Sequence, residues 1–538
     1  MIRNWSLAFG LAVVALSAWP ASPDAETVVP KFVEESAAAG LEIRYEDDGE
    51  FMVGGGLASF DCDRDGLPEL VMAGGVNTSK FFKNTGVRGG PLRFVETRSG
   101  LEMAGVSGAY PLDIDGDGLV DLVLLRVGAI EVFRGQAGCK FERVTDAWNL
   151  HSGNAWHTSF SATWEKGQSW PTLAVGTYID RDRRTFPWGH CTPGLLFRPN
   201  PQGSGYLAPI ELKPGHCALS MLFYDWSGKG TTALRVSNDR DYFKGGKEQL
   251  WQLTPGAPPR GLDEADGWKS LQLWGMGIAV RDLDGDGAPE VFLTSMADNK
   301  LQTLDSGTSR PSFKDIAFAA GVSAHRPYVG GDVRPSTAWH AQFEDFNNDG
   351  SVDLFIAKGN VEGKHFAMLD PNNLLLQVRP MHFAEFGDKA GIGSVKEGRG
   401  AIVADLNMDG LLDIVVVNRN ERAEMWRQLP FDAPSKRLTN WVQLRLQQAG
   451  GNVWGVGSML EFESGGVLQR REVTVGGGHA SGAMGWTHFG MGKATAGRVR
   501  VRWPDGDTGS WMPVKSGEFL VVDRAKGVVA FAAKGVSK

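Results

Sequence analysis

The feature that most constrains this chain is a nine-residue acidic pattern with side-chain oxygens at positions one, three, five and nine. Its clearest copy runs from Asp113 through Asp115 and Asp117 to Asp121. The apolar run 122–125 follows at once, and such short runs are typical of buried strands. Because Ca²⁺ takes six to eight oxygen ligands, a short loop with alternating carboxylates suits it. The pattern therefore predicts a calcium loop that joins two strands.

Seven copies can be aligned, and we number them in chain order as loops 1 to 7. Five are complete: 61–69, 113–121, 282–290, 345–353 and 405–413. The side-chain ligands predicted for these five are Asp61, Asp63, Asp65, Glu69, Asp113, Asp115, Asp117, Asp121, Asp282, Asp284, Asp286, Glu290, Asp345, Asn347, Asp349, Asp353, Asp405, Asn407, Asp409 and Asp413. The alternative is a set of solvated Asp/Gly turns. That alternative does not account for four oxygen positions that recur five times at fixed offsets.

Two copies are degenerate. Loop 3, near 162–167, has lost its carboxylates, so we expect no metal there. Loop 4, at 225–233, keeps Asp225 but has Lys229 at position five, and we expect this ammonium to replace the cation.

The spacing of the copies, about 50 to 63 residues, is the size of one four-stranded propeller blade. We therefore predict an all-β fold with a seven-bladed β-propeller. A weaker repeat of outer strands leaves one unpaired strand, 32–34, before the first loop and none after the seventh blade near Trp426. Pairing the two would close the ring and remove a sheet edge.

Residues 1–25 are predicted to be a signal peptide, with Arg3 before an apolar core too short to span a bilayer. A buried N-terminal helix is the alternative. We expect an exported protein, periplasmic or extracellular, without a membrane span. The net charge of −8 argues against nucleic acid as a partner.

Four cysteines are present, an even number for an oxidising compartment. Cys191 and Cys217 flank a Pro/Gly-rich insertion and are the preferred disulfide. Cys62 and Cys139 form a second disulfide or remain buried thiols. Neither pair has zinc-site spacing.

The loops with their flanking strands resemble the FG-GAP (or VCBS) repeat of integrin α propellers. That resemblance implies a further ligand, the backbone carbonyl at position seven. The residues concerned are Leu67, Leu119, Ala288, Ser351 and Leu411.

The C-terminal motifs 440–444, 455–460, 476–481, 488–492 and 499–506 follow one another in an order similar to the ASPIC/UnbV domain. This domain follows FG-GAP repeats in the cartilage acidic protein family. The expected division is a signal peptide at 1–25, a propeller at 26–430, a small β-sandwich-like ASPIC/UnbV domain at 436–525 and a tail at 526–538. The resemblance implies a secreted or surface calcium-binding protein with an adhesion or interaction role and no established reaction.

Two histidines stand out at the innermost strands. Most blades have Gly five residues before the first ligand, whereas loops 3 and 6 have His157 and His340 there. They could line a polar pocket or bind a transition metal at the channel mouth. The preferred interpretation is two hydrogen-bonded, space-filling histidines beside Trp.

We therefore expect a secreted propeller with about five structural Ca²⁺ ions that binds a protein or carbohydrate ligand. No motif predicts catalysis. The alternative is a periplasmic enzyme, or a cofactor- or metal-binding accessory protein, that uses the channel mouth.

Overall fold

A computed structural model of the chain describes residues 27–182, 189–239, 246–296, 298–305, 309–323, 336–361, 369–432 and 439–532. The predicted signal peptide lies outside these ranges. The helices that they contain are single turns, Ser36–Ala39, Glu264–Asp266, Ala317–Ala320 and Gly387–Ala390. None of them has the length and apolarity that a membrane-crossing helix needs. The rest of the regular structure is β, which confirms the all-β fold.

Seven four-stranded sheets occur in the described part of the chain up to residue 432, and we call them blades 1 to 7. Within each blade the neighbouring strands are antiparallel. From the innermost strand outward, blades 1 to 3 are Leu57–Phe60, Glu69–Met72, Lys80–Asn84, Phe94–Glu96; Val106–Leu112, Asp121–Arg126, Glu131–Gln136, Lys140–Arg143; and His157–Thr163, Thr172–Thr177, Gly194–Phe197, Ile210–Leu212. Blades 4 and 5 are Ala218–Asp225, Thr232–Asn238, Gln249–Gln252, Arg260–Gly261; and Gly275–Arg281, Glu290–Ser295, Lys300–Leu304, Phe313–Asp315. Blades 6 and 7 are Ala338–Glu344, Asp353–Lys358, Asn373–Arg379, His382–Glu385; and Gly398–Ala404, Asp413–Asn418, Glu424–Gln428, Phe32–Glu34.

The blades pack face to face, and the second strand of blade 2 shows how. Its side chains alternate between two cores, as the two-residue period of a strand requires. Leu122 and Leu124 belong to the core shared with blade 1, whereas Val123 and Leu125 belong to the core shared with blade 3. An unbroken apolar run is therefore buried on both faces, which explains why these strands do not alternate apolar with polar residues.

The predicted ring closure is confirmed. Phe32 pairs with Gln428, Val33 with Arg427 and Glu34 with Trp426, all antiparallel. Each innermost strand contacts that of the next blade, and the innermost strand of blade 7 contacts that of blade 1. The N-terminal strand thus covers the edge that blade 7 would otherwise expose.

The C-terminal domain is a sandwich of two four-stranded sheets. In spatial order these are Thr487–Gly492, Asn440–Gln447, Glu518–Asp523, Gly527–Ala530, and Val467–Glu472, Met459–Ser464, Ala496–Arg502, Met512–Lys515. Both sheets contribute to one core, for example Leu444 and Phe489 from the first and Phe462 and Val499 from the second. Residues 527–530, which we assigned to a tail, form an edge strand because Val528 packs against this core. Residues 533–538 lie outside the described ranges.

A glycine-rich segment of the C-terminal domain, residues 475–484, enters the central channel of the propeller. Its strand Gly482–Met484 pairs in parallel with the innermost strand of blade 1. Backbone bridges join Ala162 to Val475, Leu222 to Gly476 and Ile278 to Gly478 in blades 3, 4 and 5. We call residues 475–484 the channel segment.

Candidate metal centres and the domain interface

All five complete loops have the same three hydrogen bonds. In loop 2, Asp113 Oδ2 accepts the N–H of Gly118 (2.9 Å), Asp117 Oδ1 accepts that of Leu119 (2.8 Å) and Asp121 Oδ2 accepts that of Ile114 (2.7 Å). The bonds corresponding to these three recur in loops 1, 5, 6 and 7 at 2.7–3.1 Å. The carboxylates at positions one, five and nine therefore fix the backbone of the loop. In loops 2, 5, 6 and 7 both oxygens of the position-one carboxylate accept backbone N–H groups.

Positions four and six of every complete loop have positive φ, which lets the chain reverse within nine residues. Position six is always Gly, with φ between 82° and 96°. Position four is Gly in loops 2 and 5, but Arg64, Asn348 and Met408 occupy it elsewhere at φ 57–64°. A left-handed conformation in a non-glycine residue costs about 1 kcal/mol or more, so the loop geometry is strongly imposed.

In three loops the structure brings predicted ligands together. Oxygens from positions one, three and nine lie within 4.8 Å of one another in each case. These sets are Asp61, Asp63, Glu69; Asp113, Asp115, Asp121; and Asp282, Asp284, Glu290. The position-five carboxylates Asp65, Asp117 and Asp286 lie outside these clusters, each with Oδ1 held by the N–H at position seven.

Loops 6 and 7 have an amide at position three. Asn347 Nδ2 donates to Asp349 Oδ2 (3.0 Å), and Asn407 Nδ2 donates to Asp409 Oδ2 (3.1 Å). In both loops the position-one and position-nine carboxylates are buried.

The carboxylates of the loops have raised pKa values. Burial, with neighbouring carboxylates, raises the pKa of Asp113 to about 7 and that of Asp405 to about 7. Burial also raises the pKa of Glu290 to about 8. The pKa of Asp353 is raised well above its usual range by burial and by Asp349 and Asp345. Such shifts mean that the carboxylates need protons or a cation.

The residues fit a hard divalent cation. All ligands are oxygens, as Ca²⁺ prefers. The Oδ1 atoms of Asp61 and Asp63 are buried and have no hydrogen-bond partner, so they are free to bind one. When bound, Ca²⁺ would neutralise the clustered carboxylates and hold the two flanking strands together. The carbonyls at position seven and the full ligand sets remain predictions.

In loops 1 and 2, basic side chains from the third strand of the blade supply part of the positive charge that neutralises the carboxylates. Lys83 Nζ contacts Asp63 and lies 2.7 Å from Glu69 Oε1. Arg134 Nε lies 2.6 Å from Asp115 Oδ2, and its Nη2 lies 2.9 Å from Asp117 Oδ2. One monovalent group cannot balance the three or four carboxylates of each loop.

In loop 4 the prediction that the Lys229 ammonium replaces the cation is wrong. Lys229 is exposed and does not replace the cation. Instead, Arg502 from the C-terminal domain places Nη2 2.9 Å from Asp225 Oδ2 and 3.0 Å from the Gly228 carbonyl oxygen. At position five a side chain can point into solvent, whereas Arg502 is positioned by its strand above the loop.

The C-terminal domain lies on the face of the propeller that carries the loops, which we call the calcium-loop face after the predicted role of the loops, and contacts several position-one carboxylates there. Arg470 Nη1 lies 3.0 Å from Asp282 Oδ2, and Gln443 Nε2 donates to Asp405 Oδ2 (2.6 Å). Arg445 Nη1 lies 3.8 Å from Asp61 Oδ2. Sequence analysis missed this interface, because the contacts join residues that are hundreds of positions apart.

The channel segment explains the glycines of the innermost strands. A Cβ atom at Gly56 would lie 1.8 Å from the Ala480 carbonyl oxygen, and one at Gly108 would lie 2.5 Å from it. Ser481 Oγ accepts the N–H of Leu57 (3.1 Å). These glycines therefore make room for a segment of another domain.

His157 and His340 are both buried. His157 Nδ1 bonds to the Gly128 carbonyl (2.7 Å), whereas His340 Nδ1 accepts the N–H of His479 (3.0 Å). Burial lowers the pKa of each histidine to about 4, so both are neutral at pH 7. Neither belongs to a cluster of three ligating groups within the described residues.

The structure contains both disulfides, Cys62–Cys139 and Cys191–Cys217. The first connects position two of loop 1 to blade 2, and the second connects the insertion after blade 3's second strand to the start of blade 4. No free cysteine is found among the described residues.

Fold and loops together define a β-propeller with FG-GAP-like repeats followed by an ASPIC/UnbV domain. The family model described as "FG-GAP-like repeat" matches residues 61–124 and 345–416, and that described as "ASPIC and UnbV" matches residues 448–529.

Over most of its length the chain is distantly homologous to cartilage acidic protein 1. It is 24% identical to the Homo sapiens protein over 489 residues, which cover 84% of this chain and 69% of that protein. For the Mus musculus protein the identity is 23% over 483 residues, covering 84% and 70%.

Two solved structures can be superposed on much of this chain, with low TM-scores. A lectin of Agrocybe aegerita has a TM-score of 0.38 and 15% identity, covering 67% of this chain and 88% of that chain. The BBS1N chain of a complex with ARL6DN has a TM-score of 0.40 and 12% identity, covering 70% and 92%.

Proposed function

We propose that the protein is an exported, calcium-binding interaction protein whose Ca²⁺ ions are structural. The observation that carries this proposal is the clustering of three carboxylates within 4.8 Å of one another at corresponding places in three blades, with the position-nine carboxylate buried in each. Each ion would sit between the first two strands of a blade. That position suits holding the two strands of a blade together.

The partner would be a protein or a carbohydrate. A rigid propeller displays its connecting segments as a binding surface, and fold alone does not specify the ligand. The C-terminal domain contacts the calcium-loop face at Asp225, Asp282 and Asp405. We therefore place ligand binding on the opposite face. Two disulfides suit an oxidising compartment, periplasmic or extracellular.

The test separates structural calcium from calcium that contacts a ligand. The mature protein is immobilised and screened against a glycan array and an extracellular-matrix protein panel. Screening is repeated in Ca²⁺, and in chelator under conditions where circular dichroism shows the fold intact. Binding that survives in folded, calcium-depleted protein supports a structural ion. Binding that needs Ca²⁺ while the fold is unchanged would contradict that role, and no binding on either panel would contradict the proposed partners.

A further inference from the structure

We propose that a cavity between blades 5 and 6 and the C-terminal domain binds a small oxyanion, which is held by the guanidinium of Arg281. The cavity has a volume of about 160 Å³. Arg281 lines it together with Gln342, Arg470, Arg471 and Thr474. The proposal does not depend on calcium binding by the loops.

Arg281 ends the innermost strand of blade 5, and only 3% of its surface is exposed. Its Nε and Nη1 atoms are buried without a hydrogen-bond partner in the described structure. The contact that the guanidinium makes is with the ring of Phe489, whose centre lies 5.6 Å from Cζ. Burial of a guanidinium without a hydrogen-bond partner or counter-charge is strongly unfavourable, so a partner is expected.

The neighbouring carboxylates of Glu344 and Asp282 form ion pairs with other arginines. Arg471 forms a two-pronged ion pair with Glu344, including a 2.6 Å contact from Nη1 to Oε2. Arg470 lies 3.0 Å from Asp282 Oδ2. Both carboxylates are therefore engaged by other arginines, and neither forms an ion pair with Arg281.

Two further acidic groups face this region but do not balance Arg281. Glu472 Oε2 accepts the N–H of Asp225 (2.8 Å). The oxygens of Asp345 already accept the N–H groups of Asp349 (3.1 Å) and Gly350 (2.8 Å) in its own loop. Among the described residues no acidic group forms an ion pair with Arg281, so an anion from solution can bind to its unpartnered N–H groups.

The shape of the site favours an oxyanion over a halide. The N–H groups of a guanidinium point outward in one plane and form charge-assisted hydrogen bonds with the oxygens of carboxylate, sulfate and phosphate groups. One buried water molecule needs roughly 10–15 Å³ of cavity volume measured in this way. The cavity therefore has room for a tetrahedral oxyanion or a small carboxylate together with water molecules. Thr474 lines the same cavity and has a hydroxyl that can donate a further bond.

The test is calorimetric titration of the calcium-loaded, full-length protein with sodium sulfate and with sodium acetate. Ionic strength is kept constant with chloride. We expect one sulfate per chain, with acetate binding at the same site. Arg281→Gln should weaken binding about ten- to a hundredfold, the loss expected for charge-assisted hydrogen bonds. Arg281→Lys should keep part of the affinity, because it retains the charge but not the fork.

The matched control is Arg498→Gln. It removes an exposed arginine of the C-terminal domain that pairs with Glu463 of the same domain. It should bind sulfate as the wild type does. Equal binding by wild type and Arg281→Gln, or no binding by the wild type, would overturn the proposal.

A second measurement does not need a variant. Wild-type crystals grown in selenate should give one anomalous peak within hydrogen-bonding distance of the Arg281 guanidinium. Selenate peaks that avoid this cavity would contradict the assignment even if Arg281→Gln failed to fold.

Discussion

Loops 2 and 4 have the same backbone but opposite chemistry. Gly116 and Gly118 have φ of 75° and 82°, and Gly228 and Gly230 have φ of 68° and 89°. Loop 2 presents four carboxylates at its ligand positions, whereas loop 4 keeps Asp225 alone. In loop 4 the positive charge comes from Arg502 of the C-terminal domain. Arg470 makes the corresponding two contacts in loop 5, with Asp282 Oδ2 and the Gly285 carbonyl oxygen, but loop 5 has three further acidic ligand positions. We therefore expect one arginine to balance the single carboxylate of loop 4, and a complete loop to need a metal cation as well.

Removal of calcium by a chelator should have the largest effect on stability. Removal of Ca²⁺ leaves the carboxylates of five loops to repel one another, while loop 4 keeps its arginine. We expect the melting temperature to fall by at least about 10 °C, since each saturated site contributes about 2–3 kcal/mol. Differential scanning calorimetry with and without EGTA measures this. The loss should reverse when Ca²⁺ is restored.

The calcium-free protein should also depend on pH, with a sign that the pKa values fix. The folded-state pKa values of Asp113 (about 7) and Glu290 (about 8) lie above those of the unfolded chain. The stability that such groups contribute is complete below their unfolded pKa and is lost as pH rises through the folded value. Melting temperature should therefore fall between about pH 4 and pH 8. Ca²⁺ should largely remove the slope, and an equal slope with saturating Ca²⁺ would contradict this explanation.

Substitution of Arg502 tests loop 4 directly. Arg502→Met leaves the carboxylate of Asp225 buried without its counter-charge. We expect a loss of about 3 kcal/mol in the free energy of unfolding, with the calcium content unchanged. Chemical denaturation and metal analysis measure the two quantities. Lys229→Gln is the matched control and should change neither, because Lys229 is exposed.

A single complete loop should give the smallest change. Glu290→Gln removes the position-nine carboxylate of loop 5, and we expect one calcium fewer per chain and a loss of about 2 kcal/mol. Asp225→Asn in loop 4 is the control for calcium content and should remove none. A full complement of calcium in Glu290→Gln would show that loop 5 is not a site.

The fold was largely predictable because its signals are local and repeated. Acidic loops, buried strands and the unpaired strand 32–34 each show in short windows of sequence, and their repetition fixes the phase of the blades. The tight turns of the loops were predictable for the same reason, whereas the role of their carboxylates as metal ligands stays a prediction. The edge strand 527–530 was not, because its place depends on packing of Val528 against a core assembled from distant strands.

The domain interface could not be read from the sequence. Nothing near Arg502 or Arg470 indicates which loop it will meet, since those contacts depend on how two domains dock. The glycines at 56 and 108 did carry a signal, because most blades have Gly at the same position of the innermost strand. The structure shows that the close neighbour is Ala480 of the channel segment.

The calcium content of the mature protein tests the central claim most directly. Purified without chelator and dialysed against metal-free buffer, the protein is analysed for metals by mass spectrometry. The account predicts about five Ca²⁺ per chain, one for each complete loop. A chain without calcium, whose melting temperature does not change when Ca²⁺ is added, would contradict it.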